Sequence, residues 1–261
     1  MKIKNKKNEN KAILKCENIN KSFFGNEVLH SINLECRVGE ILALIGENGA
    51  GKSTLINIIS GNLQADKGTI FYSGIPKKML NAHQAKEEGI VVVHQQLSLI
   101  PELSVAENLF LGQESKFGRL FIRNKELHLI AQKKIDENVK FNLDVHKTVS
   151  SLSPAEKQIV EILKAWLNNP KLMILDEPTS SLSIEEVGHL FSLLSKLKER
   201  GASVIFITHR LDELFAISDK VVVLKDGYIT KKALVKDVKK DELISAMVGR
   251  KLSSEIFPAR P

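Results

Sequence analysis

The stretch 46–54 (GENGAGKST) has the residue types and the spacing of a loop that binds phosphate. It follows the apolar run 41–45 and precedes the apolar-rich segment 55–59, an order that predicts a strand, a glycine-rich turn and a helix. Glycine lets the backbone approach a polyphosphate closely, so that N–H groups of the loop and of the helix start face the phosphate oxygens. The predicted nucleotide-binding residues in this stretch are Gly46, Glu47, Asn48, Gly49, Ala50, Gly51, Lys52, Ser53 and Thr54.

Two side chains of the loop add charge and a metal ligand. Lys52 provides a positive charge for the outer phosphates, and Ser53 provides a hydroxyl for Mg²⁺. The alternative interpretation, a glycine turn before an exposed lysine, would not explain the flanking strand and helix. We therefore predict a site for a nucleoside triphosphate and Mg²⁺.

Two carboxylates follow a second apolar run, 172–175. Asp176 and Glu177 come directly after it, and Pro178 prevents the strand from continuing. Taken alone, the pair would be interpreted as an acidic turn. Phosphoryl transfer needs a carboxylate that binds the metal and a group that orients water, so the phosphate loop favours these two roles here.

Gln95 is the last residue of the apolar run 89–95, and His209 directly follows the apolar run 203–208. We predict both runs to be buried parallel strands. Open α/β sheets bind ligands at the carboxyl ends of their strands. A lone histidine is usually structural, but this one is expected in register with Gln95 and Asp176. We therefore expect these three side chains at one edge of a sheet.

The segment 152–158 (LSPAEKQ) has the pattern of a strongly capped helix start. Ser153 is placed as the N-cap, Pro154 as the first helical residue, and Glu156 as the residue that completes a capping box. The N-terminus of such a helix can receive an anion. Trp166, on the same helix, is expected in the core.

The remaining segments suggest a mixed α/β fold with a helical insertion. Residues 12–34 alternate as antiparallel strands joined by a turn at 24–26, and of the adjacent Phe23 and Phe24 one is expected in the core and one available to stack on a base. Further predicted elements are a strand at 68–73, a polar linker, helices within 97–151 with a capping box at Ser104 and Glu107, a helix from Ser183 to Gly201, a hairpin at 221–230 and a helix at 241–248.

The composition is that of an ordinary globular protein, with 43% hydrophobic and 26% charged residues among 261. Of the net charge of +7, residues 1–11 supply +4, and this tail lacks aromatic residues that could stack on bases, so no nucleic-acid partner is expected. No apolar run approaches the roughly 18 residues that span a bilayer. The two cysteines show no metal or redox spacing, so a reducing compartment is expected.

These motifs, in this order, resemble the ATP-binding subunits of ATP-binding-cassette (ABC) transporters from about residue 12 onward. The subgroup resembled is that of the ribose, galactose and xylose importers, on the phrases 94–101 (HQQLSLIP), 103–108 (LSVAEN), 207–211 (ITHRL) and 247–252 (MVGRKL). Nucleoside importers share several of these phrases. Importers of this type usually fuse two cassettes, so the chain resembles either the first half of a longer protein or a half that dimerises.

The resemblance implies an α/β P-loop NTPase cassette with a RecA-like core, an antiparallel β subdomain and a helical subdomain. The implied divisions are a basic disordered tail at 1–11, the first part of the core at 12–96, the helical subdomain at 97–151, the signature helix and the rest of the core at 152–232, and a C-terminal helix and linker at 233–261.

The resemblance also implies a role for each motif residue in ATP hydrolysis. Lys52 holds the phosphates; Ser53, Gln95 and Asp176 serve Mg²⁺; Glu177 is the general base; His209 contacts the γ-phosphate; and Phe23 stacks on adenine. The signature residues Ser153, Pro154, Ala155 and Glu156 face the ATP of a partner cassette.

The implied partners are a second cassette, transmembrane permease subunits and, indirectly, a periplasmic or lipid-anchored solute-binding protein, with the chain at the cytoplasmic face of the membrane. The signature departs from the family pattern, because Pro154, Ala155 and Glu156 replace two glycines and a glutamine, and Ser183 replaces the usual aspartate of the D-loop. These changes point to a weaker composite site. Two alternatives are a cassette that acts on ribosomes or DNA and a regulatory cassette without turnover.

Overall fold

The computed structural model describes residues 11–77, 81–112, 124–138 and 143–248. The expected basic tail, except for residue 11, lies outside the described residues, as do parts of the expected helical insertion and the linker after 248. The strands are β1 (Ala12–Phe23), β2 (Asn26–Arg37), β3 (Ile41–Ile45), β4 (Lys67–Tyr72), β5 (Ile75–Lys77), β6 (Ile90–Val93), β7 (Leu172–Asp176), β8 (Ser203–Ile207), β9 (Lys220–Lys225) and β10 (Tyr228–Leu234). The helices are α1 (Lys52–Ile59), α2 (Ala82–Glu87), α3 (Val105–Phe110), α4 (Asn124–Asn138), α5 (Pro154–Leu167), α6 (Ile184–Glu199), α7 (Leu211–Ile217) and α8 (Lys240–Val248).

One layer of the fold is a four-stranded antiparallel sheet in the order β2-β1-β4-β5. The predicted antiparallel pair at 12–34 is confirmed. The expectation that one of the two adjacent phenylalanines is buried is wrong, because β1 ends at Phe23 and Phe24 lies in the turn at a φ of 50°. Phe24 is fully exposed and Phe23 is 39% exposed.

The second layer is a six-stranded sheet in the order β10-β9-β3-β8-β7-β6. The strands from β9 to β6 are parallel, and β10 pairs antiparallel with β9. Their apolar runs are continuous because both faces are covered: Leu172 and Ile174 of β7 pack between the two sheets, whereas Met173 and Leu175 pack under the helices. The predicted parallel strands are confirmed.

The helical side of the sheet is covered by α3, α4, α5 and α6, and Trp166 is buried there as predicted. The predicted capping box of α3 is present, because Ser104 accepts the Glu107 N–H while the Glu107 carboxylate accepts the Ser104 N–H. The cap of α6 at Ser183 and its end before Gly201 are also confirmed. None of the helices in the described ranges is long and apolar enough to cross a membrane.

Two local predictions are wrong, and one helix was not predicted. The polar linker after β4 contains the short strand β5 and the helix α2, and α2 begins with a capping box between Asn81 and Gln84. The strand predicted at 89–95 corresponds to β6, which lies at the edge of the sheet and is half-buried in its middle. β6 ends at Val93, two residues before Gln95. Helix α7 was not predicted because Arg210 provides no side-chain cap and the helix is short.

We expect Leu194→Ala to reduce the free energy of unfolding by about 2–5 kcal/mol, because this α6 side chain is fully buried between helices and sheet. The matched control on the same helix is Ile184→Ala, which removes an 89% exposed side chain and should change it by less than about 0.5 kcal/mol. Urea denaturation measures both. Equal effects would contradict the assigned face of α6.

Candidate nucleotide-binding site

The phosphate loop is held in place by direct backbone packing. It connects β3 to α1, and at two of its glycines there is no room for a side chain. A Cβ on Gly46 would lie 2.1 Å from the Leu224 carbonyl oxygen of β9. Gly51 has a φ of 101°, and a Cβ there would lie 2.7 Å from a methyl group of Leu29. The loop therefore rests directly on β9 and β2.

The Lys52 amine is fixed by the loop's own carbonyl groups. Its Nζ donates hydrogen bonds to the carbonyl oxygens of Gly46 at 2.8 Å and Glu47 at 2.9 Å. Burial lowers the pKa of Lys52, and the negative charges of Glu177 and Asp176 oppose that shift. Loop carbonyls and carboxylates thus offset the cost of placing an ammonium group in the fold.

Predicted residues from four segments meet in one cleft of about 370 Å³, within the range of ligand sites. Its lining residues are Phe23, Val28, Asn48, Gly49, Gly51, Lys52, Ser53, Thr54, Gln95, Asp176 and Glu177. Val28 was not predicted, because an apolar strand residue beside a cleft has the same pattern as one in the core. Of the predicted loop residues, Gly46, Glu47 and Ala50 are not among the described residues that line the cleft, and Ala50 is buried.

Phe23 stands at the mouth of the cleft, at the end of β1. The Lys21 Nζ lies 5.5 Å from the centre of the Phe23 ring, within cation–π distance. Lys21 is itself held by Asp66, 2.6 Å away. A 39% exposed ring fixed at this position has a free surface on which a planar base can stack.

Asp176 is the last residue of β7 and faces the cleft. Burial raises the pKa of Asp176, and the nearby Glu177 raises it further, whereas His94 and Lys52 lower it. His94 was not singled out in the sequence, because its proximity to Asp176 depends on the pairing of β6 with β7. The site therefore concentrates both signs of charge at one edge of the sheet.

Glu177 and His209 form a pair across the ends of two neighbouring strands. Glu177 has a φ of 48°, unusual for a residue with a side chain, and its N–H donates to the Ile207 carbonyl oxygen at 3.1 Å. The Oε1 atom of Glu177 lies 3.2 Å from Nδ1 of His209. Glu177 lines the cleft, and His209 reaches the cleft through this contact. A carboxylate and an imidazole so placed can bind and orient one water.

Gln95 lines the cleft from a loop that is tied to the helical side of the molecule. Three residues further on, the Ser98 hydroxyl donates a 2.6 Å hydrogen bond to the carboxylate of Glu161, a buried residue of α5. The fully buried Asn108 amide accepts from the Ile100 N–H at 2.8 Å and donates to the Ile100 carbonyl at 3.0 Å. The loop that carries Gln95 is thus fastened to α5 and α3.

The four signature residues do not belong to this cleft. Ser153, Pro154, Ala155 and Glu156 begin α5, and none of them is among the described residues that line it. Ser153 Oγ accepts the Glu156 N–H at 3.1 Å, and the Glu156 carboxylate accepts the Ser153 N–H at 2.7 Å. The predicted capping box is confirmed. It engages the negative charge of Glu156 with its own helix start.

The donor set of the cleft suits a hard divalent cation. Ser53, Gln95 and Asp176 bring a hydroxyl, an amide and a carboxylate to the same space. All three offer oxygen atoms, the ligands that Mg²⁺ prefers, and Mg²⁺ is usually bound by one or two carboxylates together with substrate phosphates. The residues present therefore fit Mg²⁺.

A glycine loop packed on a parallel sheet, with a lysine and two carboxylates at the strand ends, defines a P-loop nucleotide-binding cassette. The family model described as "ABC transporter" matches residues 29–180, more than half of the chain. The chain belongs to the ABC transporter family.

The ribose import ATP-binding protein RbsA of Bacillus cereus is 40% identical over 250 residues, which cover 95% of this chain and 50% of that protein. The chain thus spans about half the length of the curated relatives it matches. Among solved structures, the ADP conformation of an ATP-binding cassette of an ABC transporter superposes with a TM-score of 0.78 at 28% identity, covering 92% of this chain and 99% of the other. A dimeric cassette in a post-hydrolysis state, bound to ADP and Pi, gives a TM-score of 0.74 at 27% identity over 85% of this chain and 98% of the other.

We expect Asp176→Asn to increase the free energy of unfolding of the nucleotide-free chain at pH 7. The folded-state pKa of Asp176 is raised above 3.8, so between these two values the folded chain holds a proton that the unfolded chain has released. The free energy of unfolding of the unaltered chain therefore falls as the pH rises through this window. The neutral amide of the variant does not titrate, so the variant does not lose this stability. Urea denaturation from pH 7 down to pH 4 measures the difference.

The difference between the variant and the unaltered chain should narrow as the pH falls towards 3.8 and below it, because Asp176 of the unfolded chain then becomes protonated as well. Asp237→Asn, at an exposed position outside the cleft, is the matched control and should show no such stabilisation. An unaltered chain as stable as the Asp176 variant at pH 7 would contradict the assigned burial of this carboxylate.

Proposed function

We propose that this chain is an ATP-hydrolysing unit of an ABC importer for a monosaccharide, with ribose as the first candidate. The carrying observation is the convergence of Lys52, Gln95, Asp176 and Glu177 on one cleft, with His209 Nδ1 3.2 Å from the Glu177 carboxylate. The relative named as a ribose import ATP-binding protein supports the solute class. The nucleoside importers remain the alternative, and the cleft itself has no group that chooses the solute.

ATP binding would use three contacts. The adenine ring stacks on Phe23, the loop N–H groups face the phosphates, and the Lys52 amine exchanges its carbonyl partners for phosphate oxygens. Mg²⁺, held by Ser53, Gln95 and Asp176, would neutralise charge on the outer phosphates. These contacts leave the γ-phosphate next to Glu177.

Hydrolysis would use Glu177 as general base. The carboxylate accepts a proton from water as the water oxygen bonds to the γ-phosphorus, and the bond to the β-phosphate oxygen breaks to give ADP and phosphate. The His209 imidazole, 3.2 Å from Glu177, holds the carboxylate and contacts the γ-phosphate. The fixed separation of this pair would position the attacking water.

Two copies of the cassette would be needed for full activity. In this proposal, the start of α5 faces ATP bound to a second cassette, whether in a homodimer or in a fused half. The dimeric cassette bound to ADP and Pi supports the arrangement. Because the Glu156 carboxylate brings negative charge to this helix start, we propose that the composite site built on this segment is the weaker one.

The other proposed partners follow from the importer assignment. They are the transmembrane permease subunits and, through them, a periplasmic or lipid-anchored solute-binding protein. The chain would sit at the cytoplasmic face of the membrane. We retain 97–151 as the proposed helical subdomain, flanked by core segments 12–96 and 152–232, with 233–261 as a C-terminal helix and linker.

We expect Glu177→Gln to bind ATP but to lower kcat about 10²- to 10⁴-fold, because the amide cannot accept the proton from water. Trapped ATP should hold two cassettes together, so the mass of the variant measured by light scattering should double when Mg·ATP is added. Glu185→Gln, which removes an exposed carboxylate from α6, is the matched control and should keep the original kcat.

If the Glu177 variant binds ATP and stays monomeric, the chain requires a different second cassette. If the unaltered chain hydrolyses no ATP even with such a cassette supplied, the ATPase proposal fails.

For the solute, we expect Lys52→Ala, introduced into the cells that make this protein, to reduce uptake of radiolabelled ribose at least about tenfold, because ATP turnover needs the Lys52 charge. Lys67→Ala removes an exposed lysine of β4 and should leave uptake unchanged. Loss of nucleoside uptake with normal ribose uptake would reassign the solute.

A further inference from the structure

Glu213 of α7 is a buried carboxylate that none of the predicted motifs includes. Its side chain is 6% exposed, although glutamate is rarely buried without a specific partner. It does not line the nucleotide cleft among the described residues. Its place in the fold is behind the ends of β7 and β8, where the two segments that carry Glu177 and His209 come together.

The contacts of Glu213 join these two segments. Its Oε2 atom accepts hydrogen bonds from the Thr179 hydroxyl at 2.8 Å and from the Thr208 hydroxyl at 3.0 Å. Thr179 lies two residues after Glu177, and Thr208 immediately precedes His209. Both threonines are 2% exposed, so water does not compete for these bonds.

The other carboxylate oxygen is also engaged. Oε1 of Glu213 lies 2.7 Å from Nη1 of Arg210, an ion pair whose angle is not that of a directed hydrogen bond. The backbone N–H of Arg210 donates to the Thr208 hydroxyl at 3.0 Å. The Glu213 carboxylate therefore contacts the turn after β8 at two residues, Thr208 and Arg210, and it contacts the segment after β7 at Thr179.

We propose that Glu213 is a positioning residue for ATP hydrolysis, which fixes the distance between the Glu177 carboxylate and the His209 imidazole. This inference rests on the proposed function of that pair. Among the described residues, a backbone hydrogen bond from the Glu177 N–H to the Ile207 carbonyl connects these segments, and it lies before both side chains. The Glu213 carboxylate connects the same two segments a second time, at Thr179 and Thr208. Two connections are needed to fix the distance between the side chains of Glu177 and His209.

Glu213 is expected to affect the turnover of ATP and not its binding. In the part of the chain that the structure describes, the hydrogen bonds and the ion pair of Glu213 go to Thr179, Thr208 and Arg210, and none of these residues lines the cleft. Its loss should therefore leave the affinity for ATP unchanged and reduce turnover, because a reacting group displaced by about 1 Å can lower the rate about 10²-fold.

The test is Glu213→Gln, which keeps the volume of the side chain. Its amide oxygen can accept from the two threonines only if its NH₂ group faces Arg210, which has no acceptor atom. We expect kcat for ATP to fall about 10- to 100-fold with KM within about twofold. The matched control is Asp212→Asn on the same helix, whose side chain is 90% exposed and paired with Lys240, and it should keep both constants.

A second variant separates positioning from folding. Thr208→Val removes one hydroxyl without changing the shape of the side chain and should lower kcat in the same direction. Thr208 and Glu213 share a hydrogen bond. The fold-decrease in kcat of the double variant should therefore be smaller than the product of the two single decreases. In a His209→Gln background, Glu213→Gln should have little further effect. A purely structural role would reduce the rate by the same factor in every background.

An NMR measurement keeps this test independent of the proposed function. The ring signals of His209 should change in Glu177→Gln and also in Glu213→Gln, but not in Asp212→Asn. If the chain hydrolyses no ATP, the proposed function is wrong. The His209 signals would still report whether Glu213 fixes the distance between the Glu177 carboxylate and the His209 imidazole. The positioning inference is overturned if Glu213→Gln leaves kcat and the His209 signals unchanged, or if its effect is fully retained without His209. Should Glu213→Gln not fold, Thr208→Val decides by the same two readouts.

Discussion

The parallel pairing of β3, β8 and β7 is the constraint on which the site depends. Leu44 of β3 and Asp176 of β7 are both in register with Ile207 of β8. The phosphate loop, the carboxylates and the histidine therefore leave the sheet at one level, although they are far apart in sequence. A slip of one residue in any of these pairings would turn every side chain of a strand to the other face. Close packing of the side chains on both faces opposes such a slip.

At this edge of the sheet, several features of the site lower the stability of the fold locally. An ammonium and two carboxylates are partly withdrawn from water, and the backbone of Glu177 adopts a left-handed conformation. These features would each destabilise an isolated segment, and they persist because strands and helices packed around them leave no alternative. Buried supports such as Glu161 and Glu213 lie behind the loops that carry the site residues. The site loops are thus held by residues that do not line the cleft in the described part of the chain.

The start and the middle of α5 illustrate how local and tertiary signals combine. The capping box of Ser153 and Glu156 uses neighbouring residues only, so the sequence predicted it correctly. The attachment of the Gln95 loop to Glu161 spans 63 residues and could not be read from either segment. The same helix therefore has a start defined by its sequence and a middle whose role comes from packing.

By itself, the sequence determined the strands with continuous apolar runs, the phosphate loop, the capped helices and the order of the motifs, because these depend on spacing, conformational preference and periodicity within a few residues. Only the tertiary structure decided that Phe24 leaves the sheet, that β6 is an edge strand, that Val28 and His94 approach the cleft, and that Glu213 is buried on α7. These outcomes depend on strand pairing and on contacts between distant segments, which a pattern of neighbouring residues does not contain.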